Sequence, residues 1–229
     1  MLNQSTLLLL VTLAAYAAGV ALHRLSRRHP LVNPTLIAIC IVSGALILGH
    51  IDYGVYLPAV QPIHLLLGPA VVGLAVPLYR QAYLLRQRAL LLGAALWVGS
   101  LVAIASSVVA GCWLGLSDSA LLSLAPKSAT TAVSMAIAAQ IGGIPAMTAV
   151  LTVMAGISGA LIARYVLGVL RIDDPAARGF GMGLASHGIA TASAFQESEL
   201  TGAFAGLAMA LNAVATAILT PLLVHLLVR

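Results

Sequence analysis

Apolar runs repeat along the whole chain, with short polar or basic segments between them. Most of these runs approach the roughly 20 residues that an α-helix needs to cross the hydrocarbon of a bilayer. We therefore predict spanning helices over residues 5–22, 34–49, 57–79, 89–113, 144–168 and 202–228. No stretch is left for a soluble domain, so the pattern predicts a single membrane domain over residues 1–229.

Two segments, residues 118–140 and 176–200, interrupt this pattern with helix-breaking and polar residues. The first contains Pro126 and the second Gly188, and we predict a break in the helix at each of them. A third break is predicted at Pro69, within the sequence LGPA. Each of the two segments is either a re-entrant hairpin or a complete broken crossing, because irregular backbone at membrane depth is tolerated only where protein or a cavity surrounds it.

The arginines help to decide between a hairpin and a crossing. Two clusters lie in short loops and mark the cytoplasmic side by the positive-inside rule: Arg24, Arg27 and Arg28, then Arg80, Arg86 and Arg88. If residues 118–140 crossed completely, Arg171 and Arg178 would lie outside. If the segment is a hairpin, both arginines lie inside with the others. The charge pattern therefore favours the hairpin.

The two interrupted segments match each other when the sequence is shifted by 60 residues, which places Lys127 opposite His187 and Thr152 opposite Asn212. A hairpin followed by a spanning helix then occurs twice, and the second copy enters the membrane from the opposite face, as in an inverted-topology repeat. The predicted fold is an all-α polytopic membrane protein with discontinuous helices or re-entrant hairpins and an inverted-topology repeat, similar to an elevator-type secondary transporter.

Composition supports the same class of protein. The chain is 61% hydrophobic and 7% charged, with a mean hydropathy of +1.07, which is typical of an integral membrane protein. Its net charge of +5 comes from arginines in short loops, which favours an orientation signal over nucleic-acid binding. Cys40 and Cys112 lie in apolar runs and no His/Cys cluster has metal-ligand spacing, so we expect neither a metal nor a cofactor.

Lys127 is the most unusual residue of the apolar sequence, since a charge near the bilayer centre costs roughly 3 kcal/mol. A new helical run is expected to begin at Ser128, directly after it. The free backbone amides of that run, the lysine and the hydroxyls of Ser128, Thr130 and Thr131 outline a carboxylate-binding site. The alternative is that Lys127 reaches the interface or pairs with Glu197, while the hydroxyls cap their own helix.

His187, Gly188 and Thr191 hold the matching place in the second segment. Histidine titrates at about pH 6.5, so His187 is a candidate proton-coupling group or substrate donor, although a buried histidine also commonly bonds a carbonyl. Glu197 is either a solvated interfacial charge or, if it points inward, a counter-ion or proton carrier. Asn212 lies near the middle of the last helix, where its amide either bonds across helices or lines the substrate cavity.

The sequence argues against an enzyme. No glycine-rich nucleotide loop follows a strand, and neither Ser128 nor Ser186 lies in a nucleophile elbow. Lys127 is adjacent to Ser128 in sequence, and adjacent residues of a helix do not face each other, so the lysine is badly placed to act as a base for that serine. We therefore predict a protein that binds or transports its ligand unchanged.

Three long stretches together resemble a known family: PKSATTAVSMAIAAQIGGIPAMTAV from Pro126, LASHGIATASAFQESELTGAFAGLAMALNAVATAILTPLL from Leu184, and LLGPAVVGLAVPLYR from Leu66. They are similar to the LrgB/CidB (YohK-like) family, which includes the membrane portion of the plastidic glycolate/glycerate translocator of plants. The similarity runs from about Asn33 to Leu227.

The resemblance implies one of two functions in the bacterial cytoplasmic (inner) membrane. One is secondary transport of small carboxylates such as glycolate, glycerate or pyruvate. The other is antiholin-like or holin-like regulation of murein hydrolase activity and lysis, together with a small LrgA/CidA-type membrane protein. The paired helix breaks and their cation favour the transporter, because a lesion-forming pore needs no such site. Residues 1–88 would then form a lipid-embedded scaffold and homodimer interface, and residues 89–229 the transport core.

Overall fold

The computed structural model describes residues 3–26, 32–73 and 75–227 of the chain, and its regular structure within these ranges is entirely α-helical. The helices are α1 Gln4–Leu25, α2 Pro34–Leu48, α3 Tyr53–Ala59, α4 Gln61–Gly73, α5 Ala75–Arg80, α6 Ala82–Trp113, α7 Asp118–Leu124, α8 Thr131–Ile141, α9 Pro145–Val169, α10 Pro175–Glu197 and α11 Glu199–Leu227. By length and apolar composition α1, α6, α9 and α11 can each cross a membrane. The predicted all-α polytopic membrane fold is confirmed.

The chain forms two compact units, residues 1–74 and 75–229. In the first unit, α2 begins at Pro34 because the side chain of Asn33 accepts hydrogen bonds from the backbone N–H groups of Thr35 and Leu36. Helix α1 packs closely on this corner at Gly19, where a Cβ would lie 2.6 Å from the carbonyl oxygen of Pro34. The asparagine cap and the glycine contact together fix the α1–α2 corner.

The segment 57–79, in which we predicted one break at Pro69, is divided at other positions. It is divided among α3, α4 and α5, with a boundary at Val60 and the end of α4 at Gly73. Pro69, where we expected a break, lies inside α4, and the helix continues through it. A proline removes one backbone hydrogen bond, but abandoning the helix in an apolar segment would leave more polar groups unsatisfied.

The segment 118–140 folds back on itself in the second unit. Helices α7 and α8 flank a non-helical stretch, residues 125–130, which we call the first break. The backbone N–H of Ile144, beyond α8, donates to Ser123 Oγ in α7 at 2.8 Å. Gly142 ends α8 with a φ of 91°, a left-handed conformation that favours glycine. The chain that leaves α7 therefore returns to it after α8, as in a hairpin.

Helix α10 is a second hairpin. Its backbone is non-helical at Ser186 and at His187, whose φ is 41°, and we call these two residues the second break. Arg178 and Glu197, 19 residues apart, form an ion pair at 3.1 Å, whereas a straight helix would separate them by about 28 Å. The break that we predicted at Gly188 thus lies at the two preceding residues, Ser186 and His187. The His187 backbone leaves the helical conformation there, which allows its side chain to bond to α9.

The two hairpins begin at opposite ends of the second unit. Arg88, near the start of α6, pairs with Asp174 at the start of α10, and Arg80 pairs with Glu199 at the start of α11. The base of the second hairpin therefore lies beside the start of α6. The base of the first hairpin follows the far end of this 32-residue helix. Each hairpin leads into a long helix, α9 or α11, so the order of elements repeats with inverted direction.

Helix α11 holds the first half of α10 at two glycines. A Cβ at Gly179 would overlap the carbonyl group of Thr201, and a Cβ at Gly183 would overlap that of Ala205. Spacing of small residues at every fourth position brings helix backbones close together in membranes. The first half of α10 is consequently packed against α11 along its length.

We expect Gly183→Ala to lower the free energy of unfolding by about 2 kcal/mol, because the added methyl group forces the two backbones apart. Gly181→Ala is the matched control, since its Cβ meets no atom within 4 Å; alanine there should stabilise the helix by about 0.5 kcal/mol. Thermal unfolding of both variants in detergent measures the difference. Equal stability of the two variants would contradict the close packing.

Candidate functional site

The first break is a compact turn held by Ser134 of α8. Its hydroxyl donates to the carbonyl oxygens of Pro126 at 2.7 Å and Ala129 at 3.2 Å. The N–H of Ala129 donates back to the Pro126 carbonyl at 3.1 Å. Helix α8 therefore begins at Thr131 and not at Ser128, and the prediction that the amides from Ser128 onward open the helix is wrong. The Ala129 N–H is hydrogen-bonded within the turn and is not free to bind an anion.

No side chain caps the N-terminus of α8 within the described residues. Thr130 holds the N-cap position, but its side chain makes no capping hydrogen bond. The first-turn N–H groups at such a helix start lack intrahelical partners and lie at the positive end of the helix dipole. Thr130 and Thr131 are half-buried there, so the α8 start retains the properties of an anion-binding helix end.

Lys127 lies in the first break, half-buried between the two helices of the hairpin. Among the residues that the structure describes, no carboxylate comes within 4.0 Å of its ammonium group. Glu197, the partner in our alternative interpretation, instead pairs with Arg164 at 2.9 Å and with Arg178 at 3.1 Å. The site therefore has an excess positive charge.

The second break packs against α9. The Nε2 atom of buried His187 lies 2.9 Å from the carbonyl oxygen of Thr152, to which its ring N–H donates. Gly156 and Gly159 make room on α9, because a Cβ at either position would collide with His187 or Ser186. The hydrogen bond to α9 anchors the imidazole, which agrees with the alternative that this buried histidine bonds a carbonyl.

Two further predicted residues lie at this break. Thr191, one turn into the second half of α10, donates to the carbonyl oxygen of His187 at 2.8 Å and is buried. Gly188 is exposed and directly follows the break. The threonine thus closes the turn, and of the two only the glycine leaves backbone accessible to a ligand.

Asn212 joins the first break to the helical turn that precedes the second break. Its side-chain amide nitrogen donates to the carbonyl oxygens of Ser128 at 2.9 Å and Leu184 at 3.1 Å. Its oxygen accepts from the hydroxyls of Ser100 at 2.7 Å and Thr216 at 3.2 Å. Both amide hydrogens and both lone pairs of the fully buried side chain are therefore used by protein groups. In this conformation Asn212 positions the breaks and has no hydrogen-bonding capacity left for a substrate.

The repeat is visible in these contacts. Asn212 of α11 reaches the first break at Ser128, and Thr152 of α9 reaches the second break at His187. Thr152 and Asn212 are the pair that the 60-residue shift places opposite each other. Two elements related by a two-fold axis make reciprocal contacts of this kind. Each long helix thus supports the break of the other hairpin.

Glu197 closes the base of the second hairpin. Both of its oxygens contact Arg178, at 3.1 Å and 3.3 Å, and Arg164 of α9 also donates to the carbonyl oxygen of Ser193 at 3.1 Å. We name Arg164, Arg178 and Glu197 the ion triad. Glu197 is thus the counter-ion of two arginines; its role as a proton carrier stays a prediction.

Two contributors were missed in the sequence. Ser100 is one of three serines in the apolar run of α6, and Arg164 is the single charge within α9. An ionisable group inside a spanning helix usually has a partner, so Arg164 was the detectable signal. Ser100 gave none, because serine is frequent and tolerated in such helices. The buried hydroxyl of Ser128 has no partner among the described residues and remains available at the first break.

Comparison with known proteins shows where this arrangement belongs. A model of the LrgB-like family matches residues 12–226. The protein YxaC of Bacillus subtilis (strain 168) is 34% identical over 98% of this chain and 99% of its own length, and YwbG of the same organism is 34% identical over 86% and 88%. The "Antiholin-like protein LrgB" of Bacillus mycoides (strain KBAB4) is 28% identical over 93% of each chain. No solved structure matches the sequence. The match over nearly the whole chain confirms the resemblance noted in the sequence, and the chain belongs to the LrgB-like family.

Proposed function

We propose that the chain is a secondary transporter of small carboxylates, of the size of glycolate, glycerate or pyruvate, in the bacterial inner membrane. The observation that supports this is Lys127, which no carboxylate of the described residues pairs with, at a helix break that Asn212 ties to the turn before a second break. Discontinuous helices at the junction of two inverted repeats are where secondary transporters bind anions. A small carboxylate supplies the negative charge that this site lacks.

In this proposal the ammonium of Lys127 attracts the carboxylate. The free Ser128 hydroxyl and the first amides of α8, near Thr130 and Thr131, then donate to its oxygens. His187 and Gly188 bound the site on the side of the second break, and Thr191 keeps that break closed. Alternating access moves the two hairpins relative to a scaffold formed by the first helices, which also provides a homodimer interface. The predicted boundary between residues 1–88 and 89–229 falls inside the continuous helix α6, so the moving part begins before that helix.

A second function has its own support, and the comparisons favour it more directly than transport. Relatives that cover 93% of this chain bear the name antiholin-like protein LrgB. By that likeness the chain would be a membrane regulator of murein hydrolase activity and lysis, working with a small LrgA/CidA-type protein. The unpaired lysine at the paired breaks has no evident use in that role, which is why we place transport first.

Replacing Lys127 by glutamine tests the transport proposal. We expect uptake efficiency for the preferred acid to fall about 30-fold, since a hydrogen bond to a charged group contributes about 2 kcal/mol. Lys127→Arg keeps the charge and should retain part of the activity. The measurement is uptake of labelled glycolate, glycerate and pyruvate into liposomes that contain the protein, with and without a pH gradient.

The matched control is Arg86→Gln, which removes an exposed cation far from both breaks in sequence and should leave uptake unchanged. Undiminished uptake by Lys127→Gln would contradict the site. Release of a large encapsulated dye from the same liposomes by the wild-type protein, without uptake of any acid, would instead support a pore and the second function.

A further inference from the structure

A groove on the outer surface of the second unit has no part in either proposed function. It lies between α9 and the first half of α10, is open to the surface and has a volume of about 340 Å³. Its walls are almost entirely apolar: Gly159, Ile162 and Val166 of α9 face Gly181, Ala185 and Ser186 of α10. Ile162 is 53% exposed and Val166 41%, so the groove opens at the surface of the unit.

The length of the groove along α9 is close to the thickness of one leaflet of a bilayer. Its inner end is at Ser158 and Gly159, the middle of the 25-residue helix α9, and its outer end is at Val166 and Leu167, near the end of that helix. Eight residues of helix rise about 12 Å, close to the roughly 15 Å of hydrocarbon in a leaflet. A membrane-spanning α9 would thus place the groove along one leaflet, from the bilayer centre to the interface.

A cation lies beyond the outer end of the groove. Arg171 is exposed one turn after Leu167, and no carboxylate of the described residues pairs with it within 4.0 Å. Asp173, two residues further along the chain, is also exposed, so the arginine is the closer of the two to the groove in sequence. An arginine at this depth is placed to contact the phosphate of a lipid headgroup.

We propose that this groove binds one acyl chain of an anionic phospholipid whose headgroup contacts Arg171. The tail lies on the small residues between α9 and α10, and its end meets Ala185 and Ser186 at the second break. The bound lipid therefore belongs to the leaflet on the side of the ion triad. The lipid occupies the groove beside the second hairpin, which carries His187. This binding is independent of which of the two functions the protein has.

Gly181→Leu tests this directly, because a Cβ at Gly181 meets no atom within 4 Å and the new side chain extends into the groove. Gly168→Leu is the matched control: its Cβ is also unobstructed, but Gly168 does not line the groove. The variants are purified from vesicles of dioleoyl phosphatidylglycerol and dioleoyl phosphatidylcholine, and the retained lipid is counted by native mass spectrometry. The wild type and Gly168→Leu should retain phosphatidylglycerol, and Gly181→Leu should lose it.

Arg171→Gln tests the headgroup separately. It should weaken retention of phosphatidylglycerol about fivefold while leaving phosphatidylcholine unchanged, since one basic residue at the interface contributes about 1 kcal/mol towards an anionic lipid. Ser158→Leu blocks the inner end and replaces Gly181→Leu if the latter fails to fold. Retention by the groove-filling variant equal to the wild type would overturn the proposal, as would indifference to Arg171. Loss of a dimer in place of loss of lipid would identify the groove as a contact between copies of the chain.

Discussion

Asn212→Ala is expected to lower the free energy of unfolding by about 4 kcal/mol, because it leaves several buried polar groups without partners at roughly 1–3 kcal/mol each. The carbonyl oxygens of Ser128 and Leu184 lose their donor, and the hydroxyls of Ser100 and Thr216 lose their acceptor. Transport should also be lost, since the two breaks are no longer held together. Thermal unfolding in detergent and uptake into liposomes measure the two effects.

Thr220→Val is the control for this experiment. Thr220 is fully buried on the same helix, but its hydroxyl has no partner in the described part of the chain. Removing an unpartnered hydroxyl while keeping the volume should leave stability unchanged or slightly higher. If Asn212→Ala were as stable as Thr220→Val, Asn212 would not be the residue that joins the breaks.

Glu197→Gln should destabilise the second hairpin by about 3 kcal/mol, because it leaves Arg164 and Arg178 without their shared counter-ion in a mostly buried setting. The loss is local, so hydrogen exchange should rise most in residues 175–197. This measurement distinguishes opening of the hairpin from general unfolding.

Glu199→Gln is the matched control for the ion triad, two residues away. Its partner Arg80 is 66% exposed and Glu199 itself 57%, and an exposed pair of this kind contributes about 0.5 kcal/mol or less. Equal hydrogen exchange in the two variants would show that the ion triad does not hold the hairpin closed. A large effect of Glu199→Gln alone would show that the Arg80–Glu199 pair holds the hairpin closed.

Most of the fold followed from the length of the apolar runs. The long helices α1, α6, α9 and α11 agree with their predicted ranges to within a few residues at most ends, because a spanning segment must satisfy its backbone internally. The division of 57–79 was predicted at the wrong proline: Pro69 lies within a helix, while one boundary falls at Val60, two residues before Pro62 in the first turn of α4. Where a proline is tolerated depends on packing that the sequence does not express.

The site was predicted in part. The residues that were missed or misassigned make contacts between positions far apart in the sequence. Lys127 and His187 stood out because a charge or an imidazole is rare in apolar sequence. The tie between the breaks was not foreseeable, since Asn212 reaches Ser100 across 112 residues and Ser128 across 84. The α8 start was misplaced by three residues because the internal turn at Pro126 competes with the helix for the Ala129 amide.

The reciprocal support of the two breaks is chemically unequal, and this has a genetic consequence. At the first break the supporting group is the side chain of Asn212, which any substitution removes. At the second it is the backbone carbonyl of Thr152, which every residue type possesses, and the Thr152 hydroxyl itself has no partner among the described residues. A saturation library would therefore be depleted at codon 212 but accept small residues such as valine or serine at codon 152. Position in the repeat alone does not set the tolerance of a residue to mutation.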